Sequence, residues 1–173
     1  VVALDVKTGA VLVMASHPTF DPNLFTRKIT KDEWETLQDP ENPFLNRAMQ
    51  GYPPGSTFKI VTSVAGLESG KFSPDSILGT SSYITVGGID FNEHSGGYGY
   101  IGFRDALAFS SNTFFYQVGI STGPEQISKW GHRLGIGKDT DLNLLGLGGG
   151  DHGQIPTPEE KEKIYKEPWY AGD

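Results

Sequence analysis

The sequence contains no cysteine, so disulfides and thiolate chemistry are excluded, although the compartment is left open. No run approaches the ~18 apolar residues of a membrane-spanning helix, and no signal peptide is visible. Basic residues are scarce: 14 Lys and Arg against 21 Asp and Glu give a net charge of −7. With no basic cluster to offset it, that balance argues against a nucleic-acid partner. Internal repeats are absent, and the hydrophobic share of 36% is somewhat low. What is abundant is turn chemistry, with 23 Gly and 11 Pro in 173 residues. The length suffices for one domain with a sizeable core.

Two Val-rich runs, residues 1–5 and 10–15, flank Val6-Lys7-Thr8-Gly9 and predict a β-hairpin of a sheet buried on both faces. A lone hairpin is marginal in water, so the sheet is expected to continue in sequence outside this chain. Both ends are accordingly expected to be cut from a longer protein, the first residue being Val1 and the last stretch Trp169-Tyr170-Ala171-Gly172-Asp173. Thr30-x-x-Glu33 is a capping box that predicts a short helix to about Leu37. Residues 71–102 are rich in Gly and Ser, with a short hairpin expected over 83–91. Residues 103–109 are expected to be helical and interrupted by Ser110-Ser111. Helix then resumes at Thr113 and is expected to end at Gly119. Residues 124–134 form a further predicted helix, with Pro124 in its first turn and Gly135 behind it. Thr157-Pro158-Glu159-Glu160 joins a capping box to a first-turn proline and opens a last, charged helix.

The chain is organised around Ser56-Thr57-Phe58-Lys59. Gly51-Tyr52-Pro53-Pro54-Gly55 before it is a break that no helix crosses. After it Ile60, Val61, Val64, Ala65 and Leu67 recur at helical spacing until Gly70. Ser56 is therefore expected to open a buried helix, with Lys59 three residues on and on the same face. A serine hydroxyl needs a base within hydrogen-bond reach to act as a nucleophile. A lysine serves only where burial or a neighbouring cation favours its neutral form. The spacing alone is a weak signal, because an N-cap serine beside a solvated lysine produces it as well.

Ser110-Ser111-Asn112 sits about 50 residues later, also at a helix boundary and also flanked by aromatics. There a hydroxyl and a carboxamide can both face a cleft. The ordered pair, Ser-x-x-Lys and then Ser-x-Asn, is the box set of penicillin-binding proteins and serine β-lactamases.

The resemblance extends beyond the boxes. Asn46-Arg47-Ala48 leading into Tyr52-Pro53-Pro54-Gly55-Ser56-Thr57-Phe58-Lys59 resembles the nucleophile region of class B penicillin-binding proteins. Ser110-Ser111-Asn112-Thr113-Phe114-Phe115-Tyr116-Gln117-Val118-Gly119 and the closing Pro168-Trp169-Tyr170-Ala171-Gly172-Asp173 resemble the elongation type, with some local phrasing similar to cyanobacterial members. The resemblance implies an α/β (α+β) transpeptidase fold, a helical cluster against an incomplete antiparallel sheet, with residues 1–173 as part of the domain. It implies peptidoglycan cross-linking. Ser56 would attack the penultimate D-Ala carbonyl of a stem peptide, Lys59 would accept its proton, Ser110 would relay a proton to the leaving amine, and Asn112 would bind the substrate amide. β-Lactams would acylate the same serine. No cofactor is implied. The implied partners are D-Ala-D-Ala stem peptides and a membrane glycosyltransferase of the elongation machinery. The implied location is the periplasmic face of the bacterial inner membrane.

The family's third box, Lys-Thr/Ser-Gly, follows the Ser-x-Asn element. Lys7-Thr8-Gly9 precedes the nucleophile and reads as a hairpin turn. The true box is expected past Asp173, and a membrane anchor before Val1, so the chain alone is expected to be inactive. A class D β-lactamase or β-lactam sensor shares Ser-Thr-Phe-Lys but usually has a hydrophobic residue where Asn112 stands. A D,D-carboxypeptidase differs only in the acceptor, and a non-enzymatic scaffold is the remaining alternative. Asp90 and His94 have i,i+4 spacing near a metal site described in some relatives, yet they lack a clear third ligand. His17, His132 and His152 have no evident acidic or nucleophilic partners and are expected in surface or packing roles, the Gly-rich run 146–153 lacks the end of a phosphate loop, and residues 161–166 read as a solvated helix face.

Overall fold

The computed structural model describes residues 1–138 and 153–173. Within these, residues 1–52 form one compact unit, and residues 53–138 with 153–173 form another. His152 and residues 146–152 of the Gly-rich run lie outside the described residues.

In the first unit β1 (Val2–Leu4) pairs antiparallel with β2 (Val11–Met14), Val2 opposite Met14. The Asp5 carboxylate closes the turn by accepting from the N–H groups of Lys7 and Thr8 and from Thr8 Oγ1. Gly9, at φ +73°, takes the left-handed position such a turn requires. Lys7-Thr8-Gly9 is thus turn, as its position predicts. The expected burial on both strand faces is not found, since Leu4, Leu12 and Val13 are all exposed. The apolar run specifies strands, but they form a two-stranded sheet whose apolar side chains stay exposed among the described residues. Helix α1 (Lys31–Leu37) starts at the predicted capping box, with Thr30 and Glu33 each bonded to the other's backbone N–H. Arg27 pairs with the same Glu33 carboxylate at 2.5 Å.

The second unit is built on α2 (Lys59–Glu68), whose buried residues are Val61, Thr62, Ser63, Ala65 and Gly66. Its neighbours α4 (Asn112–Thr122) and α5 (Pro124–Arg133) approach through glycines. A Cβ on Gly66 would lie 2.7 Å from Val118 Cγ1 of α4, and one on Gly131 of α5 would collide with Ile155 beside Val61. At Gly66 a Cβ would press on α4, and at Gly131 it would fit against Val61 but overlap Ile155.

Strands β3 (Ile77–Thr80) and β6 (Gly99–Gly102) pair antiparallel, Leu78 opposite Ile101. Between them β4 (Tyr83–Val86) and β5 (Ile89–Asn92) make the predicted hairpin, turned by Gly87-Gly88 with both φ positive, as two-residue hairpin loops demand. Ile101 of β6 and Phe103 and Ala106 of α3 (Phe103–Ala108) join Phe114, Phe115 and Val118 of α4 in one core. The rings of Phe103 and Phe114 meet edge to face at 5.0 Å, the arrangement aromatic quadrupoles favour.

Helix α4 does not end at Gly119. It runs to Thr122 and stops at Gly123, whose φ of +86° precedes Pro124. A glycine inside a helix weakens it by only ~1 kcal/mol, which the buried Phe114, Phe115 and Val118 offset. Gly123 N–H still bonds to Gly119 O at 2.9 Å, but Pro124 has no N–H with which to continue the ladder. The last helix, α6 (Pro158–Tyr165), starts at its predicted capping box. Its Lys161 is not solvated: the ammonium pairs with Asp173 at 2.5 Å and lies 4.7 Å from the Tyr170 ring centroid.

Candidate active site

Ser56 belongs to a short 3-10 helix, Gly55–Phe58, that feeds into α2, so it precedes the α-helix instead of opening it. The difference matters for geometry. Side chains at i and i+3 eclipse in a 3-10 turn, and the Lys59 N–H bonds back to the Ser56 carbonyl. Ser56 is exposed and Lys59 half-buried, which suits a hydroxyl that must meet a substrate and an amine that must be partly desolvated.

Ser110 and Asn112 come from the α3–α4 junction. The end of α3 is a Schellman motif, with Ser110 N–H bonded to Leu107 O at 3.1 Å and Ser111 N–H to Ala106 O at 2.9 Å. Ser110 therefore occupies the left-handed position usually taken by glycine, at φ +56°. For an L-residue this costs ~1–2 kcal/mol. Ser111 at once becomes the N-cap of α4, its Oγ accepting from Phe114 N–H at 3.3 Å. One residue closes the first helix and opens the next, so Ser110 between them has little freedom.

The four residues singled out in the sequence meet. Lys59 Nζ donates to Ser110 O at 2.5 Å, to Ser110 Oγ at 3.0 Å and to Asn112 Oδ1 at 2.7 Å. Ser110 Oγ in turn donates to Ser56 Oγ at 2.9 Å. The hydroxyl of Ser110 thus links Ser56 to Lys59. Three acceptors suit an ammonium. Burial nevertheless pushes the Lys59 pKa down from its ordinary value, and the nearby Glu93 charge partly restores it. Phe115 supplies an apolar wall, its ring centroid 5.8 Å from Nζ.

Glu93, which the sequence did not single out, lies beneath this cluster with its side chain fully buried. Its carboxylate accepts from Asn112 N–H at 2.8 Å, Thr113 N–H at 2.9 Å, Ser111 Oγ at 2.7 Å and Thr113 Oγ1 at 3.0 Å. Burial pushes the carboxyl pKa up, but the bonds from Asn112, Ser111, Thr113 and the His94 N–H outweigh it and hold the group at about 2. No local pattern marks Glu93, because its partners lie about 20 residues away and reach it only through the sheet.

Asp90 and His94 do not converge. Asp90 accepts from Thr85 Oγ1 across the hairpin at 2.6 Å. His94 lies with Nδ1 2.9 Å from Glu93 and Nε2 2.9 Å from Tyr98 Oη. His132 Nδ1 is engaged by Ile136 O at 2.9 Å. A cavity of about 610 Å³ opens beside Phe58, Phe115 and Trp169, but Ser56, Lys59, Ser110 and Asn112 do not line it. It adjoins the polar cluster without containing it.

Residues 1–160 match the model of the penicillin binding protein transpeptidase domain, and the chain belongs to that family. It is 37% identical over 178 residues to the peptidoglycan D,D-transpeptidase MrdA of Escherichia coli strain K12, an alignment covering all of this chain and 28% of that protein. The solved complex between penicillin-binding protein 2 and MreC from Helicobacter pylori superposes with a TM-score of 0.91 at 30% identity, over 99% of this chain and 32% of that one. The ceftriaxone acyl-enzyme of penicillin-binding protein A from Mycobacterium tuberculosis does so with a TM-score of 0.75 at 30% identity, over 87% and 36%. The expected mixed helix-and-sheet transpeptidase fold is therefore found, and the chain spans under a third of the length of its E. coli relative.

Proposed function

We propose that this chain is the nucleophile-bearing part of a peptidoglycan D,D-transpeptidase of the elongation type. The observation that carries the proposal is the continuous hydrogen-bonded path Ser56–Ser110–Lys59–Asn112, made by two boxes in the family's order. Ser56 Oγ attacks the penultimate D-Ala carbonyl of a stem peptide while its proton passes through Ser110 Oγ to Lys59. The tetrahedral intermediate collapses with expulsion of D-Ala, whose amine receives a proton along the same path. An amine of a second stem peptide then attacks the ester and Ser56 is released. Asn112 holds Lys59 through Oδ1 and keeps Nδ2 on Asn92 O at 3.3 Å, a long bond that a substrate carbonyl can displace. The same attack opens a β-lactam ring, in keeping with the acyl-enzyme of the M. tuberculosis relative.

Residues 1–173 supply two of the family's three boxes, and the third lies in the remainder of a longer protein anchored at the periplasmic face of the bacterial inner membrane. The chain alone is inactive, because one of the two oxyanion donors comes with that remainder. Its partners there are a membrane glycosyltransferase and a protein of the kind of MreC, with which the H. pylori relative is complexed. The test is to incubate the full-length protein with a labelled pentapeptide ending in D-Ala-D-Ala and an acceptor stem peptide. Release of D-Ala with formation of a cross-linked dimer is expected. Release to water alone would make it a carboxypeptidase, and no release would overturn the acyl-transfer reading.

A further inference from the structure

We propose that Glu93 is a positioning residue for this reaction: its buried carboxylate fixes the first turn of α4 and so holds Ser110 and Asn112 where they meet Lys59 and Ser56. The proposal rests on the acyl-transfer reading above. The first N–H groups of a helix have no intrahelical partner, and here those of Asn112 and Thr113 both end on Glu93. The hydroxyls of Ser111 and Thr113 fill the remaining positions on Oε2. With His94 N–H at 3.1 Å on Oε1, the carboxylate is fully engaged.

Ser110 is thereby held through its neighbour Ser111. The N–H of Ser111 is tied to Ala106, and the side chain of Ser111 is tied to Glu93. Without the carboxylate the left-handed Ser110 would be free to relax, and its Oγ would leave the 2.9 Å contact with Ser56. Asn112 is held between opposite charges, its backbone N–H on Glu93 and its Oδ1 on Lys59. The ionisable groups facing Glu93 among the described residues are Lys59 from α2 and His94 beside it, with Tyr98 behind His94. From α4 Glu93 meets the neutral donors of Asn112 and Thr113.

The charge gives the role a signature that packing alone lacks. Glu93 raises the Lys59 pKa against the effect of burial. Acylation needs neutral Lys59, so removing the charge moves the rising limb of the pH–rate profile to lower pH even as the plateau falls. The experiment measures second-order acylation of the full-length protein by a fluorescent penicillin across pH, alongside thermal melts, for wild type, Glu93→Gln and Glu93→Asp. Glu93→Gln is expected to lower the plateau at least ~10-fold and to shift the limb acidward. Glu93→Asp, which keeps the charge on a shorter arm, is expected to lower the plateau with the limb in place. If Glu93→Gln does not fold, Ser111→Ala, which removes one donor to the carboxylate together with the N-cap of α4, is expected to slow acylation several-fold with the limb unmoved. A Glu93→Gln protein, or failing that a Ser111→Ala protein, with the wild-type rate and limb overturns the role of Glu93. A wild type that takes no label overturns the acyl-transfer reading itself.

Discussion

The hydroxyl of Ser110 donates to that of Ser56 at 2.9 Å while accepting from Lys59 at 3.0 Å. In the proposed mechanism Ser110 is therefore the link through which Lys59 draws the proton of Ser56. Its backbone is left-handed, so the hydroxyl and the strain can be separated by mutation. Ser110→Ala and Ser110→Gly are expected to lose acylation equally, by ~10²-fold or more, because each removes the proton path. Ser110→Gly is expected to melt higher than Ser110→Ala, since glycine adopts this conformation without the ~1–2 kcal/mol cost. Equal melting points would contradict the strain, and unequal acylation rates would contradict the relay.

Lys59→Ala is expected to slow acylation by ~10²–10⁴-fold, the usual loss for a positioned base. Lys59 is half-buried with its three acceptors clustered on Ser110 and Asn112, so the cost in stability is expected to be small beside the cost in rate. A rate within a few-fold of wild type, at an unchanged melting temperature, would remove Lys59 from the role of base.

Glu93 predicts an acid limb in stability. Its carboxyl is held at about 2 in the fold against an ordinary 4.5. The folded state is thus favoured by the ionised group above pH 4.5, and the advantage fades as pH falls from there through 2. The gap corresponds to a contribution on the order of 3 kcal/mol near neutrality. Glu93→Gln should therefore differ most from wild type at pH 6–7, with the gap narrowing as pH falls from 4.5 through about 2, read from urea melts across pH. A gap that stays constant with pH would show that folding leaves the Glu93 carboxyl pKa unshifted.

The contact of α5 with Ile155 predicts a purely steric effect. Gly131→Ala is expected to destabilise by ~1–3 kcal/mol, because its Cβ would overlap Ile155 where Val61 closes the other side. For a domain of this size that lowers the melting temperature by several degrees. An unchanged melting point would mean that Ile155 moves aside freely.

Much of this was legible in the sequence because it is local. The capping boxes at Thr30 and Thr157 are complete within four residues, and both helices start where they predict. The hairpin at Gly87-Gly88 and the helix opened by Pro124 are likewise written in their own turns. Of the candidate site, Ser56, Lys59, Ser110 and Asn112 were identified by spacing and family pattern, and they do meet.

What the sequence hid is non-local. Pairing of β3 with β6 spans the whole hairpin between them, and Gly99 with Gly102 gives no strand signal. Glu93 looks like one acid among 21 Asp and Glu until the sheet carries it under α4. Gly119 looked like a helix stop because propensity is local, whereas the core contacts that carry α4 past it are not.

The central claim is that Ser56 is the nucleophile, and one measurement tests it most directly. The full-length protein is incubated with a fluorescent penicillin, denatured and digested, and the labelled peptide is sequenced by mass spectrometry, with Ser56→Ala treated in parallel. The account predicts a single covalent adduct on Ser56 in the wild type and no label that survives denaturation in Ser56→Ala. Equal labelling of both proteins, or an adduct mapped to another residue, would contradict it.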